Sequence, residues 1–284
     1  MAKDVGIIAR TDRKEAINLA SGLAAKFRHE EFNVLVEPNL AKHLNWAEKS
    51  VPIENMKANL IVTIGGDGTI LRTCLRLPKP EPPILAIDMG IRGFLTEIPP
   101  ERALDAVDRY LKGTYTVERY SKLASYIGET RLPDALNEVF VTSRYLAKLL
   151  HVRIWKNDKP VADYRADGVI VSSQVGSTGY TFSAGGPILD PDLEAFVLTP
   201  VCPITFMRPI VFPSGSQVTL ELLDPKMARV VIDGDYQKPM NPKTHSVLVK
   251  KSEHESSFIR FDGHFYQRLK ARLLFSKEEG YENV

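Results

Sequence analysis

The sequence predicts an α/β N-terminal domain with an open, mostly parallel sheet, then a β-dominated C-terminal domain, then a helix that packs back. Three observations carry this reading. Up to residue 113, short apolar runs alternate with stretches of helical spacing, the pattern of βαβ units. Beyond Gly113 the chain turns to Val-, Ile-, Tyr- and Thr-rich runs separated by Gly, Pro, Asn and Asp. Helical spacing returns at residue 265. The implied divisions are 1–113, 114–257 and 258–284, and 284 residues suffice for two domains.

Element by element, residues 5–9 read as a buried strand and 14–27 as a helix with Ile17, Ala20, Leu23, Ala24 and Phe27 on one side. Residues 33–36 form a second strand. Residues 38–57 show no clean period, although Trp46 and Ile53 read as packed. A strong buried strand at 60–64 runs into a glycine cluster, after which Ile70, Leu71, Cys74 and Leu75 resume helical spacing. Residues 84–87 form another strand. Residues 101–111 form an amphipathic helix with Ala103, Leu104, Val107 and Leu111 on one face. In the second part, strands fall at 123–127, 138–142, 152–155, 168–172, 218–222, 229–232 and 247–250, with Lys156-Asn157-Asp158-Lys159 as a hairpin turn. Residues 265–275 read as helix and 277–284 as a frayed tail.

Bulk properties exclude several classes. Lys and Arg number 37 against 35 Asp and Glu, and there is no basic stripe of the kind that grips nucleic acid. The most basic stretch, 268–272, reads as a solvated helix face. The N-terminal apolar run is too short for a signal peptide, and no apolar span of about 20 residues could cross a membrane. Cys74 and Cys202 build neither a disulfide framework nor a thiolate metal site, which fits a reducing cytoplasm. His151, His245, His254 and His264 lack metal spacing and read as surface or satisfied histidines, so no metal site is indicated by side-chain motif.

Three motifs carry chemistry. The first is Gly65-Gly66-Asp67-Gly68-Thr69, between a buried strand and a helix. Glycines permit close backbone approach and positive φ, and the helix N-terminus offers N–H groups and partial positive charge to a phosphate. A carboxylate repels phosphate unless it holds a metal or takes a proton, so Asp67 points to phosphoryl transfer near the reacting hydroxyl. The run is neither a Walker loop nor a dinucleotide fingerprint; the structural alternative to the phosphate reading is a tight Asp-Gly turn closing a βα unit. The second motif, Asp88-Met89-Gly90-Ile91-Arg92-Gly93-Phe94-Leu95, follows the next strand, where open sheets place ligands. The third, residues 167–187 (DGVIVSSQVGSTGYTFSAGGP), is a strand followed by a loop of small and hydroxylated residues rich in donors, with Tyr180 as a stacking surface. Asn137-Glu138 reads from spacing alone as readily as a turn or strand edge as a ligand pair.

Taken together, GGDGT (65–69), G-x-x-GFL (90–95), NE (137–138), the 167–187 block and IDG (232–234) resemble the NAD kinase family in order and content, over roughly residues 3–275. GGDGT alone is shared with lipid kinases; the GSTGY…SAGGP block makes the match specific. The resemblance implies NAD in a cleft between two domains, often completed by a neighbouring subunit. It implies ATP as phosphoryl donor, with Mg²⁺ held mostly by the nucleotide's phosphates. Asp67 matches the family's proposed base for the ribose 2′-hydroxyl. Gly65, Gly66, Gly68 and Thr69 complete the phosphate loop, and Arg72 follows on the first helical turn. Asn137 and Glu138 match the pair at the adenosine end, and Lys148, Arg165 and Asp167 fall where NAD or its neighbouring-subunit surroundings are contacted. Thr178, Gly179, Tyr180 and Ser183, with Thr181 and Phe182 among them, match the segment around nicotinamide and ribose.

The chain departs from the pattern at Asp88 (often Asn), Gly179 (often Ala) and Asp235 (commonly Gln, with Gln237 two residues on). The resulting expectation is a cytoplasmic NAD kinase, dimeric or tetrameric, with NAD and ATP as its partners and no nucleic acid or membrane. The rival readings are a lipid or sphingoid kinase sharing GGDGT, and a non-catalytic NAD-binding regulator.

Overall fold

The computed structural model describes residues 3–90, 93–145, 147–205, 207–224, 227–240, 243–261 and 265–270. Ile91 and Arg92 of the second motif, His264, the end of the expected 265–275 helix, Ala271 and Arg272 of the basic stretch, and the 277–284 tail lie outside the described residues. The chain forms two compact units, Met1–Arg119 with Ser256–Val284, and Tyr120–Glu255.

The first unit is built on four parallel strands, Asp4–Ala9 (β1), Asn33–Val36 (β2), Leu60–Gly65 (β3) and Ile84–Asp88 (β4), in the order β2-β1-β3-β4. Every residue of β3 is buried, as expected of a parallel strand covered on both faces. Helices α1 (Lys14–His29), α2 (Pro38–Leu44), α3 (Asp67–Arg76) and α4 (Ala103–Leu111) accompany these strands. On α1, Ala16, Ala20, Leu23, Ala24 and Phe27 repeat at three- and four-residue intervals and pack into one core with β1–β4. Glu15 stands in its first turn and Lys26, Arg28 and His29 in its last, matching the helix dipole.

The patternless stretch after β2 contains α2, which starts on Pro38 and stops after seven residues at Asn45 in left-handed conformation (φ 56°). Fewer than two full turns leave no period to detect. Ile53 is buried, and Trp46 packs on the core beneath the Arg28 guanidinium. Two expectations need correction. Helix α3 begins at Asp67 rather than Ile70, so Asp67, Gly68 and Thr69 are its first turn. On α4 the buried stripe is Ala103, Ala106 and Val107, while Leu104 is 50% exposed. A 3₁₀ turn over Pro100–Arg102 precedes α4, and the stripe's phase puts Ala106 inward in place of Leu104.

The carboxyl ends of β3 and β4 are adjacent. Gly65 pairs with Asp88, and the Met89 N–H donates to the Gly65 carbonyl at 2.9 Å. The first two motifs therefore stand side by side, where an open α/β sheet presents its loops.

The chain leaves the first unit within Thr116–Ile127 (β5) and returns within the last long strand, Ser246–Arg260. Between them come Thr130–Arg131 (β6), Glu138–Ser143 (β7), Leu150–Lys156 (β8), Lys159–Ala166 (β9), Gly168–Ser172 (β10), Ala195–Val201 (β11), Ile210–Pro213 (β12), Gln217–Leu222 (β13), Ala228–Ile232 (β14) and Tyr236–Pro239 (β15). The long strand is β16. One antiparallel sheet has the order β12-β11-β10-β7-β14-β15, and β13 pairs antiparallel with β16 and β8, which turns back into β9. The β8–β9 turn is the expected hairpin. Asn157 and Asp158 both adopt positive φ (45° and 63°), which a two-residue turn matching strand twist requires. The third motif is not all loop: a 3₁₀ turn (Val175–Thr178) and α5 (Tyr180–Ser183) occupy its middle. The closing helix α6 (Phe265–Leu269) belongs to the first unit, where Phe265 meets the Phe94 ring edge-on at 5.1 Å.

The α4 phase gives a direct prediction. Val107→Ala lowers stability by about 1–3 kcal/mol, whereas Leu104→Ala stays within about 0.5 kcal/mol of the parent. Urea unfolding of the two variants checks this; equal losses would restore Leu104 to the core.

Candidate functional site

In the first unit, two carboxylates organise the glycine loops. Asp88 accepts the Gly90 N–H (Oδ1, 2.8 Å) and the Gly93 N–H (Oδ2, 3.1 Å). Asp67 accepts the Phe94 N–H (Oδ2, 2.8 Å) and the Leu95 N–H (Oδ1, 3.0 Å). Gly90, Gly93, Phe94 and Leu95 of the loop leaving β4 are thus held by acceptors from β4 and α3. A Cβ on Gly93 would collide with the Asp67 carboxylate and the Thr96 hydroxyl, so only glycine fits there. Positive φ is not the reason for the GGDGT glycines: Gly65, Gly66 and Gly68 all have negative or extended φ. Gly65 needs its bare Cα because the Thr69 side chain lies against it, and Gly66 and Gly68 face open space, leaving the backbone accessible.

Arg72, one turn into α3, donates twice to Glu37 (2.8 and 3.1 Å), a residue only 3% exposed at the end of β2. Glu37 also accepts the Ala9 N–H at 3.1 Å. The fork fixes the guanidinium beside Gly68, Thr69 and Arg10, which line one hollow. Arg72 is paired there with Glu37 and Arg10 with Asp12, so the N–H groups of the first turn of α3 are what the hollow offers an anion.

In the second unit, β10, β7 and β14 are neighbours, so the third motif, Asn137-Glu138 and the Asp233-Gly234 turn meet at one end of one sheet. Asp233 is the centre of this region. Its carboxylate accepts the N–H groups of Leu136 (2.7 Å), Asn137 (2.8 Å) and Glu138 (2.9 Å), and its own N–H donates to the Glu138 carbonyl at 3.1 Å. From the β10 side, the Ser173 hydroxyl donates to the Leu136 carbonyl at 2.5 Å and its N–H to the Asn137 carbonyl at 2.9 Å. Gly176 packs so closely on the Asn137 backbone that a Cβ would strike it.

Held this way, Asn137 and Glu138 present their side chains toward Gly179. A Cβ at Gly179 would lie 3.3 Å from Asn137 Nδ2 and 3.4 Å from Glu138 Oε2. Asn137 Oδ1 and Glu138 Oε2 are buried and find no hydrogen-bond partner among the described residues. Such orphaned groups cost roughly 1–3 kcal/mol each, a penalty relieved by a ligand that bonds them. Burial, reinforced by the nearby Asp233 carboxylate, pushes the Glu138 carboxyl up to about 8. Burial also raises Asp233, to about 6, against the pull of its three N–H donors and the buried Lys122. At neutral pH the proton therefore sits on Glu138, which can both donate and accept.

Of the other expected residues, Thr178 is buried and its hydroxyl donates to the Val175 carbonyl at 2.9 Å. Thr181 is buried with an unpartnered hydroxyl among the described residues. Tyr180 and Phe182 are exposed, with Tyr180 edge-on to Phe140 at 5.2 Å, and Ser183 is exposed. Lys148 and Arg165 line a separate hollow with Leu149, Leu223 and Met227. Asp167 is exposed just before β10, and its carbonyl accepts the Thr142 hydroxyl and the Ser143 N–H. Sequence reading missed the roles of Glu37, Asp88 and Asp233 as clamps. For Asp233 the Asp-Gly pair was the available signal; Glu37 had none beyond closing an apolar strand. Among the described residues no group of three His, Cys, Asp or Glu side chains is placed to hold a metal ion.

Comparison with known proteins matches residues 5–115 to the ATP-NAD kinase N-terminal domain and 136–261 to the ATP-NAD kinase C-terminal domain. An NAD kinase of Methanothermobacter thermautotrophicus is 41% identical over 283 residues, covering 99% of this chain and 98% of that one. One from Thermococcus gammatolerans is 39% identical over 273 residues, covering 94% and 98%. The crystal structure of an NAD kinase from Archaeoglobus fulgidus in complex with ATP superposes with a TM-score of 0.78 at 28% identity, over 94% of this chain and 99% of that one. Yeast NADH kinase complexed with NADH shares the fold, with a TM-score of 0.86 at 21% identity over 100% and 89%.

The raised Glu138 carboxyl has a stability signature. The folded chain holds a proton there from its ordinary value of 4.5 up to about 8, where the unfolded chain has released it. Its contribution is fully present below 4.5 and is lost as pH rises through 8. Glu138→Gln, which mimics the protonated form, therefore melts progressively higher than the parent as pH rises from about 5 to about 9. A melting difference independent of pH would place an ionised, satisfied Glu138 in the fold.

Proposed function

The chain belongs to the ATP-NAD kinase family, and from that premise we propose how its residues transfer the ATP γ-phosphoryl group to the 2′-hydroxyl of the adenosine ribose of NAD, giving NADP. The observation that carries the proposal is the Asp67 carboxylate, fixed by two backbone N–H groups at the head of a helix within a glycine run. Those two bonds hold the carboxylate in one orientation at the helix head. Asp67 accepts the 2′-hydroxyl proton while that oxygen bonds to the γ-phosphorus, the bond to the β–γ bridging oxygen breaks, and ADP leaves.

Gly65, Gly66, Gly68 and Thr69 bring backbone to the phosphates, and Arg72, held in place by its pairing with Glu37, stands beside them as a fixed guanidinium. Asn137 and Glu138 bond the adenosine; their orphaned buried atoms and the donor–acceptor character of a protonated Glu138 support this. Thr178, Gly179, Tyr180, Thr181, Phe182 and Ser183 border the nicotinamide and its ribose, with Tyr180 and Phe182 offering exposed rings. Mg²⁺ would be held mostly by the nucleotide's own phosphates and would supply neutralisation of their charge. The enzyme works in the cytoplasm.

Lys148, Arg165 and Asp167 serve NAD or its surroundings in a neighbouring copy of a homodimer or homotetramer. Exposed Tyr145, Leu149, Ile204 and Leu223 on the second unit support such a contact.

Incubation with ATP, Mg²⁺ and NAD yields NADP⁺; no NADP⁺ would overturn the activity. Asp67→Asn folds and keeps NAD affinity but loses about 10²–10⁴-fold in turnover; near-normal turnover removes Asp67 from the chemistry. Asn137→Ala with Glu138→Ala weakens NAD binding far more than ATP binding in calorimetry, and unchanged NAD affinity returns the pair to a purely structural role. Mixed subunits of inactive Asp67 and Asp167 variants regain partial activity on exchange; proven exchange without recovery assigns Asp167 to its own subunit's site.

A further inference from the structure

Resting on the reading of Asp67 as proton acceptor, we propose that Arg260 is a positioning residue for the reaction, setting the Asp67 carboxylate through the backbone of Leu95. Arg260 closes β16 and is 4% exposed. Its Nη1 donates to the Leu95 carbonyl at 2.9 Å, and the N–H of the same residue donates to Asp67 at 3.0 Å. One residue therefore links a buried guanidinium to the reacting carboxylate.

The guanidinium is itself held from two further sides. Its Nε donates to Glu118 at 2.6 Å, and Glu97 lies 3.5 Å from Nη1. Glu118 also accepts two bonds from the buried Arg268 of α6, at 3.3 and 3.1 Å. Glu97 accepts the Phe261 N–H at 3.1 Å, and Phe265 braces the ring of Phe94, whose N–H also donates to Asp67. The C-terminal segment thus grips Phe94 and Leu95, two residues that donate to Asp67.

A buried ion network is weak evidence for stability, since apolar side chains replacing the whole network often fill its place at less desolvation cost. What a guanidinium adds is direction: charge-assisted bonds in a fixed fork hold the Leu95 peptide in one orientation. Transfer chemistry rewards that, because a misplacement of about 1 Å costs on the order of 10²-fold in rate.

The test uses the full chain with Arg260→Met and Arg260→Lys, each alone and combined with Asp67→Asn, measuring kcat, both KM values and thermal melting. Arg260→Met lowers kcat by about 10–100-fold while the KM values for NAD and ATP stay within about threefold. Arg260→Lys, which still reaches the Leu95 carbonyl with one donor, recovers part of that loss. In the Asp67→Asn background either Arg260 change costs less than about threefold more, because both act through one group. Wild-type kcat in Arg260→Met, a loss that is fully additive with Asp67→Asn, or raised KM at unchanged kcat overturns the proposal. Near-normal turnover of Asp67→Asn alone overturns the premise as well, and that single variant tells the two failures apart. Should Arg260→Met not fold, the Arg260→Lys cycle decides on the same criteria.

Discussion

A buried or half-buried carboxylate accepting backbone N–H groups is the interaction on which both halves of the binding apparatus depend. In the second unit Asp233 holds three successive N–H groups of residues 136–138. In the first, Asp88 and Asp67 hold four N–H groups of the loop after β4. A loop cannot satisfy its own N–H groups as a strand does, and each one left unpaired in the interior is costly. An ionised acceptor satisfies several at once with bonds stronger than neutral ones, and it dictates the direction of each peptide.

The same choice sets the electrostatics of the second unit. Asp233 is buried beside Glu138, and two neighbouring buried carboxylates resist ionising together. Three N–H donors and Lys122 favour charge on Asp233, so Glu138 keeps the proton. The clamp thereby gives the adjacent side chain a donor that an ionised glutamate lacks. The cost appears as Asn137 Oδ1 and Glu138 Oε2, unpartnered among the described residues, a local instability accepted where a ligand binds.

Much of the fold was legible because it rests on long periodic segments. Helix α1 and strands β1, β3 and β4 appeared at nearly their observed positions, since a parallel sheet buries unbroken apolar runs. The Asn157-Asp158 hairpin was legible because few residues accept positive φ in succession. Helix α2 was too short to show a period, and β9 and β12 alternate too little and carry prolines. At the site, Asp67, Asn137 and Glu138 stood out by motif, whereas their clamps did not. Asp233 lies 95 or more residues from the N–H groups it holds, and Arg260 lies 165 from Leu95. Pairings set by tertiary folding leave no local signature, and a GGDGT run alone does not separate this family from lipid kinases; the match of both domains does.

The most direct test of the clamp is calorimetric NAD affinity in Asp233→Asn. Asparagine keeps one acceptor oxygen and turns an N–H₂ group toward backbone donors, so residues 136–138 lose their fixed orientation while the first unit is untouched. NAD binding then weakens about tenfold or more, at about 1.4 kcal/mol per tenfold, with ATP affinity unchanged. Unaltered NAD affinity in a folded Asp233→Asn chain would contradict it.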